Sequence, residues 1–324
     1  MIPPAFLSRL VQRTIAAAAM VLAASGASAQ WAYYDAFKAN PAASLDVSGT
    51  KGMAVSKTVL VPTIYLRVAT SGSVFVAKQK GMGTASAKGS YTVEGHDREA
   101  LMALAKKIEA AYIAQLKAAG WDVITYADIA NDEGVKRMER ERGEGALNFP
   151  LQKDSNGAVY AIVAPSAEQA FRPAMQGPTW PFRFICKERN ATVLIPQIDI
   201  VAPQVWAESS SGYKSVSAEI KHLPGMNLNY AMVQGFTPKG GGVLIKLKGA
   251  VVNTTENAGT FTGMTDKTPS AANGLSKGLA ILGGGGSINR ASGAYNFTVD
   301  REKFNAGVMA GAEAFLAASV KALK

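Results

Sequence analysis

Two segments with the periodicity of amphipathic helices, set far apart in the sequence, constrain most strongly what this chain can fold into. From Asp97 to Ala119, apolar residues recur three and four positions apart, and Gly120 follows as a typical helix stop. From Asp300 to Leu323 the same periodicity returns at the end of the chain. Both helices need an apolar surface to cover, and the sequence between them predicts a β-sheet as that surface.

The residues before the first helix predict two strands and a loop. Thr58 to Val68 is rich in β-branched and aliphatic residues, and Ser73 to Lys78 follows with the same bias. Ser71-Gly72 lies between them and predicts a turn. The stretch 79–90 is rich in Gly, Ser and Lys and predicts a mobile loop.

Short strand-like segments punctuated by glycine and proline fill the middle of the chain, as in antiparallel sheets. Helical predictions there are confined to 128–142 and 166–175. The predicted fold is α/β (α+β): a mixed β-sheet with one long central helix and a C-terminal amphipathic helix packed on it. The further strand predictions cover 121–126, 159–163, 192–201, 213–220, 228–234, 243–251 and 260–264.

The start of the chain has the three regions of a secretory signal peptide. Arg9 and Arg13 precede a short apolar run, and Ala27-Ser28-Ala29 matches the small-x-small cleavage pattern before Gln30. The expected location of the mature protein is therefore the periplasm or the outside of the cell. The predicted divisions are a signal peptide over 1–29, an N-terminal arm over 30–57 and an α/β body over 58–324, with a candidate subdivision near 145–157.

Composition limits the partners of such a protein. Without the two arginines of the leader, the net charge falls from +10 to +8, which favours an envelope protein or an anionic surface as partner, with no indication of nucleic acid. Cys186 is the single cysteine, so no internal disulfide is available and a buried, inert thiol is expected. No apolar run after the leader is long enough for a transmembrane anchor.

Residues suited to catalysis are few and scattered. A zinc site needs three or four ligands, and His96, His222 and the lone cysteine form no recognisable set. The glycine runs 240–242 and 283–286 lack the Lys-Ser/Thr and the following helix of a phosphate-binding loop. The sequence therefore predicts no catalytic residue, no metal ligand and no cofactor.

One aromatic cluster is the strongest candidate for a binding site. Trp180, Phe182 and Phe184 alternate around Arg183, and aromatic rings beside a cation are suited to bind a sugar, a lipid headgroup or a partner loop. The alternative is the start of a strand with an aromatic face in the core. Trp206 is a second, weaker candidate for ligand or partner binding.

The segment Gly274 to Gly293 is a further candidate for an interaction. It contains the apolar patch Leu279 to Leu282, which four glycines follow. This pattern is typical of a flexible loop. The alternative is a segment that becomes ordered against a partner or a membrane surface.

A strand from Val59, a helix ending in Leu116-Lys117-Ala118-Ala119-Gly120 and a strand at Val123-Ile124 resemble the α/β unit of bacterial envelope assembly proteins. These include the curli secretion-channel family and the amino-terminal domain of the Tol-system propeller protein. The closing helix, Asp300 to Leu323, suits the same plan. Curli channel proteins are lipoproteins, whereas this leader ends without a cysteine, so the resemblance transfers no functional residue.

Three functions agree with these observations. The first is an exported, non-enzymatic envelope protein that binds a partner or an envelope surface. The second is a periplasmic carrier of an apolar or amphipathic small molecule, held in a cleft between helix and sheet. The third is a hydrolase with an unrecognised site, which requires a serine or an aspartate beside His96 or His222.

Overall fold

The computed structural model describes residues 32–80, 83–143, 147–172, 177–211, 216–253, 257–266 and 288–324. The predicted leader over 1–29 lies outside these ranges. So do residues 267–287, which include most of the Gly274–Gly293 segment; its last residues belong to a strand that begins at Ile288.

Strands and helices alternate irregularly along the described ranges. The helices are α1 (Tyr34–Ala39), α2 (Arg98–Ala118), α3 (Tyr126–Ile129), α4 (Glu133–Lys136), α5 (Arg183–Glu188) and α6 (Arg301–Ala322). The strands are β1 (Ala32–Tyr33), β2 (Leu45–Ser48), β3 (Thr58–Val61), β4 (Tyr65–Lys80), β5 (Gly83–Glu94), β6 (Asp122–Thr125), β7 (Leu151–Lys153), β8 (Val159–Val163), β9 (Thr192–Val201), β10 (Gln204–Ser211), β11 (Val216–Leu223), β12 (Met226–Phe236), β13 (Gly242–Leu247), β14 (Val251–Asn253), β15 (Gly259–Asp266) and β16 (Ile288–Val299).

One mixed sheet organises the chain. Its main path runs β1-β14-β12-β9-β4-β5-β16-β15, and β10 pairs with β11 in a separate hairpin. Strand β9 is central, because β3 and then β4 pair with one edge of it in parallel, while β12 pairs with the other edge antiparallel. Pro62 lies in the short break between β3 and β4, where its missing N–H interrupts no ladder.

Two helices of similar length cover one face of this sheet. Helices α2 and α6 have 21 and 22 residues, and Asp97 and Asp300 cap their first turns. Their apolar stripes, which include Ile108 and Phe315, pack on strand residues such as Ile198 in one continuous core. The α+β class, the mixed sheet and the C-terminal helix are confirmed, although two long helices share the layer in place of a single central one.

The predicted turn at Ser71-Gly72 is wrong, because β4 runs unbroken from Tyr65 to Lys80. Gly72 fills a packing role there: a Cβ at this position would lie 2.5 Å from the hydroxyl of Tyr91 on β5. The glycine thus makes room for a buried aromatic ring in the neighbouring strand.

The predicted loop over 79–90 is also wrong, since β5 occupies most of it. Ala85 and Ala87 are buried and pack against Val216 and Ala218 of the β10–β11 hairpin. The small residues that suggested a loop allow two layers of strands to approach closely.

The segment predicted as an N-terminal arm belongs to the body from residue 32 onward. Phe37, Leu45 and Met53 are buried in the main core, and β2 pairs with β13 at the edge of the sheet. In the described part of the helices predicted over 128–142 and 166–175, which excludes 173–175, the helical segments are much shorter. Residues of α3 and α4 and a single 3-10 turn, Ala167–Gln169, replace them.

The second face of the sheet is covered at one end. Phe171, Phe182 and Ile185 pack there on Val193 and Ile195 of β9. None of the helices in the described ranges is long and apolar enough to cross a membrane.

Replacing Gly72 by alanine should destabilise the fold, because the added Cβ meets the ring of Tyr91, which is 5% exposed. We expect a loss of about 1–3 kcal/mol in the free energy of unfolding by urea. The control is Gly134→Ala in α4, where no heavy atom lies within 4 Å of a new Cβ. That change should be neutral or stabilising by up to about 1 kcal/mol. Equal stabilities of the two variants would contradict the packing role.

His96 should make the fold acid-sensitive. Burial, with the charge of Arg301 nearby, lowers its pKa from 6.5 to about 4, and its ring packs edge-on against Phe304 of α6 at 5.0 Å. Between pH 6.5 and pH 4, His96 is protonated in the unfolded chain but stays neutral in the folded protein. The free energy of unfolding therefore decreases as the pH falls from 6.5 towards 4.

The matched variant is His96→Phe, which keeps a ring beside Phe304. Wild type should lose about 2 kcal/mol relative to this variant between neutral pH and about pH 4.5. Half-buried carboxyls such as Glu109, whose pKa is raised to about 7, act with the opposite sign in both proteins and cancel in the difference. Parallel pH profiles from urea titrations would refute this role.

Candidate functional site

An open pocket of about 490 Å³ lies where α5 meets the turn between β12 and β13. We call it the aromatic–cationic pocket. It is lined by Trp180, Arg183, Phe184, Lys187, Phe236, Pro238, Lys239 and Gly240.

The segment that supplies half of the lining is helical and not a strand. Trp180–Phe182 forms a 3-10 turn that continues directly into α5. With helical periodicity the alternating aromatic residues separate. Phe182 points into the core, where its ring meets Phe171 at 4.9 Å, whereas Phe184 is 67% exposed at the pocket.

Arg183 is held by two aromatic rings. Its guanidinium carbon lies 4.4 Å from the centre of the Trp180 ring and 4.6 Å from that of Phe184. Trp180 in turn packs edge-on against Phe236 at 6.1 Å. Cation–π contacts of this kind restrict the guanidinium, so less freedom is lost when it binds an anion.

A tight turn carries the third cation of the pocket. In Thr237-Pro238-Lys239-Gly240-Gly241, the N–H of Gly240 donates to the carbonyl of Thr237 at 2.9 Å, and the N–H of Thr237 donates to that of Gly241 at 2.8 Å. Pro238 presets the first central position, and Gly240 has φ +89°. The turn thereby fixes the backbone on which Lys239 stands.

Cys186 lies beneath the pocket and links α5 to the end of β12. Its thiol is fully buried, donates to the carbonyl oxygen of Phe236 at 3.2 Å, and has a pKa raised by burial. The expectation of a buried thiol is confirmed. The contact joins α5 to the end of β12, which carries the turn.

The charge of the pocket is one-sided. Arg183, Lys187 and Lys239 contribute three cations, and no lining residue is acidic. Within the described ranges, none of the three forms an ion pair. Unpaired cations beside exposed rings suit a ligand that has both an anionic group and an apolar part.

Trp206 lies elsewhere, on β10. Its indole N–H donates to Glu208 at 2.7 Å, and Glu208 also accepts from Lys221 of β11 at 2.7 Å. Trp206 is not among the residues that line the aromatic–cationic pocket. The structure thus brings Trp180, Arg183 and Phe184 together, and it places Phe182 and Trp206 in other surroundings.

A second polar cluster lies on the face of the sheet opposite α2 and α6. Arg67 of β4 pairs with Asp199 of β9 at 2.9 Å, with side chains 12% and 7% exposed. Gln197 donates to the same carboxylate at 3.0 Å, and the guanidinium of Arg67 lies over the ring of Tyr160. Burial raises the pKa of Asp199 to about 6, although Arg67 opposes the rise.

The two histidines are packed against aromatic rings. His96 meets Phe304, and His222 meets Phe261 and Tyr295 at 4.7 and 5.0 Å. The Nε2 of His96 and the Nδ1 of His222 are buried without a hydrogen-bond partner. Over the ranges that the structure covers, no three His, Cys, Asp or Glu side chains gather as metal ligands.

Removing Arg67 should destabilise the fold in a pH-dependent way. In Arg67→Met, Asp199 is left as a buried, unpaired carboxylate, which costs about 3–5 kcal/mol at about pH 8. The cost should shrink at about pH 5, where Asp199 binds a proton. Adding Asp199→Asn should recover part of the loss at pH 8. Urea unfolding at both pH values measures this, and a pH-independent loss would contradict the assignment.

Comparison with known proteins assigns no family to the chain: no protein-family model, curated protein or solved structure matches it.

Proposed function

We propose that this protein is exported and binds an anionic component of the bacterial envelope through the aromatic–cationic pocket. One observation carries the proposal: Arg183, Lys187 and Lys239 gather around aromatic rings with no carboxylate among the lining residues. Such an arrangement costs electrostatic energy in the free protein, and an anion removes that cost.

The exposed ring of Phe184 supports an amphiphilic ligand. It is 67% exposed and lies three positions before Lys187 on α5, about one helical turn away. A ring flanked by cations can bury its apolar surface against an acyl or ring portion while the cations reach the anionic group. An envelope lipid or glycolipid with a charged headgroup has both parts.

The export half of the proposal rests on the sequence. The leader and the charge of +8 after cleavage agree with a basic protein in the bacterial envelope. That the protein is not an enzyme is our inference from the sequence, in which residues suited to catalysis are few and scattered.

No described feature favours the two other functions over this one. The region between α2, α6 and the sheet is occupied by fully buried side chains, including Tyr112, Phe304 and Phe315. The histidines that a hydrolase would use face aromatic rings.

Binding to vesicles tests the proposal. The protein should sediment with phosphatidylglycerol vesicles and not with phosphatidylcholine vesicles, and Lys187→Gln with Lys239→Gln should weaken the binding by about tenfold or more, because each lysine at an anionic surface contributes about 1 kcal/mol. The control is Lys106→Gln with Lys107→Gln on the exposed side of α2, which removes the same charge. Equal losses in the two double variants would mean that net charge, and not the pocket, drives binding.

A further inference from the structure

We propose that the anionic group recognised by the aromatic–cationic pocket is a phosphate monoester, an inference that rests on the proposed function. The pocket presents three cations from separate positions: Arg183 and Lys187 on α5, and Lys239 on the turn after β12. A phosphate monoester carries about −1.5 to −2 charges near neutral pH and three terminal oxygens. A carboxylate, a sulfate ester or a phosphodiester carries a single charge.

The number of cations favours the dianion. Among the described residues, no acidic side chain pairs with Arg183, Lys187 or Lys239. A monoanion would leave most of this charge uncompensated. A phosphate monoester balances more of it and presents three terminal oxygens as acceptors.

The guanidinium of Arg183 contributes a directional hydrogen-bonding geometry as well as a positive charge. Arginine donates through a planar fork that fits two phosphate oxygens at once, whereas lysine acts as a point charge. The contacts with Trp180 and Phe184 at 4.4 and 4.6 Å hold this fork in place. Arg183 is therefore the residue that should separate a phosphate monoester from other anions.

The experiment compares vesicles of matched surface charge. One set contains phosphatidic acid, a phosphomonoester, in phosphatidylcholine; the other contains phosphatidylglycerol at twice the mole fraction. We expect the protein to bind the phosphatidic acid vesicles at least about fivefold more tightly. Arg183→Lys keeps the charge but loses the planar fork, so it should abolish this preference.

The matched control is Arg137→Lys, at a side chain that is 82% exposed and lies outside the pocket. Thermal unfolding of both variants checks that they are folded. Equal binding to the two vesicle types, or a preference that survives in Arg183→Lys, would overturn the phosphate assignment and leave anion binding standing. Failure to bind either vesicle would overturn the proposed function as well.

Competition distinguishes the source of the phosphate. Inorganic phosphate and glucose 1-phosphate are added to the phosphatidic acid assay at constant ionic strength. Displacement by glucose 1-phosphate supports a soluble or saccharide phosphomonoester, and resistance to both competitors supports a lipid headgroup. Displacement by dimethyl phosphate, a phosphodiester monoanion, to the same extent as by inorganic phosphate would contradict the assignment.

Discussion

The burial of one face of β4 and β9 is the constraint on which the rest of the structure depends. Residues such as Leu66 and Ile198 point to α2 and α6 and are excluded from water, while Arg67 and Asp199 point the other way. Burial of this apolar face determines where the two long helices pack, because removing apolar area from water stabilises the fold. The opposite face carries the buried pair Arg67–Asp199, and a second layer packs where Val193 and Ile195 make it apolar.

The pocket is a product of that second layer. Helix α5 turns Ile185 and Cys186 inward, so that its remaining residues, with a period of 3.6, must face outward. Arg183, Phe184 and Lys187 are therefore presented to solvent by the same burial that docks the helix. The turn after β12 contributes Lys239 because the hairpin ends beside α5.

The sequence predicts the two long helices well, because their apolar periodicity and their Asp caps are local signals. It fails at Gly72 and at β5, where small residues serve contacts between strands far apart in the chain. Trp180, Arg183 and Phe184 were recognisable as an aromatic cluster. Lys187, Phe236 and Lys239 were not, since their convergence depends on tertiary packing. The Pro238-Lys239-Gly240 sequence is a local turn signal that the sequence analysis did not use.

The buried thiol beneath the pocket allows local opening of the fold to be measured by thiol labelling. Cys186 is the single cysteine and is buried between α5 and the carbonyl of Phe236. A thiol reagent can reach it only when this helix lifts away, so the labelling rate reads out the local opening equilibrium. A ligand that bridges α5 and the turn would slow that opening, and occupancy would be visible without any introduced probe.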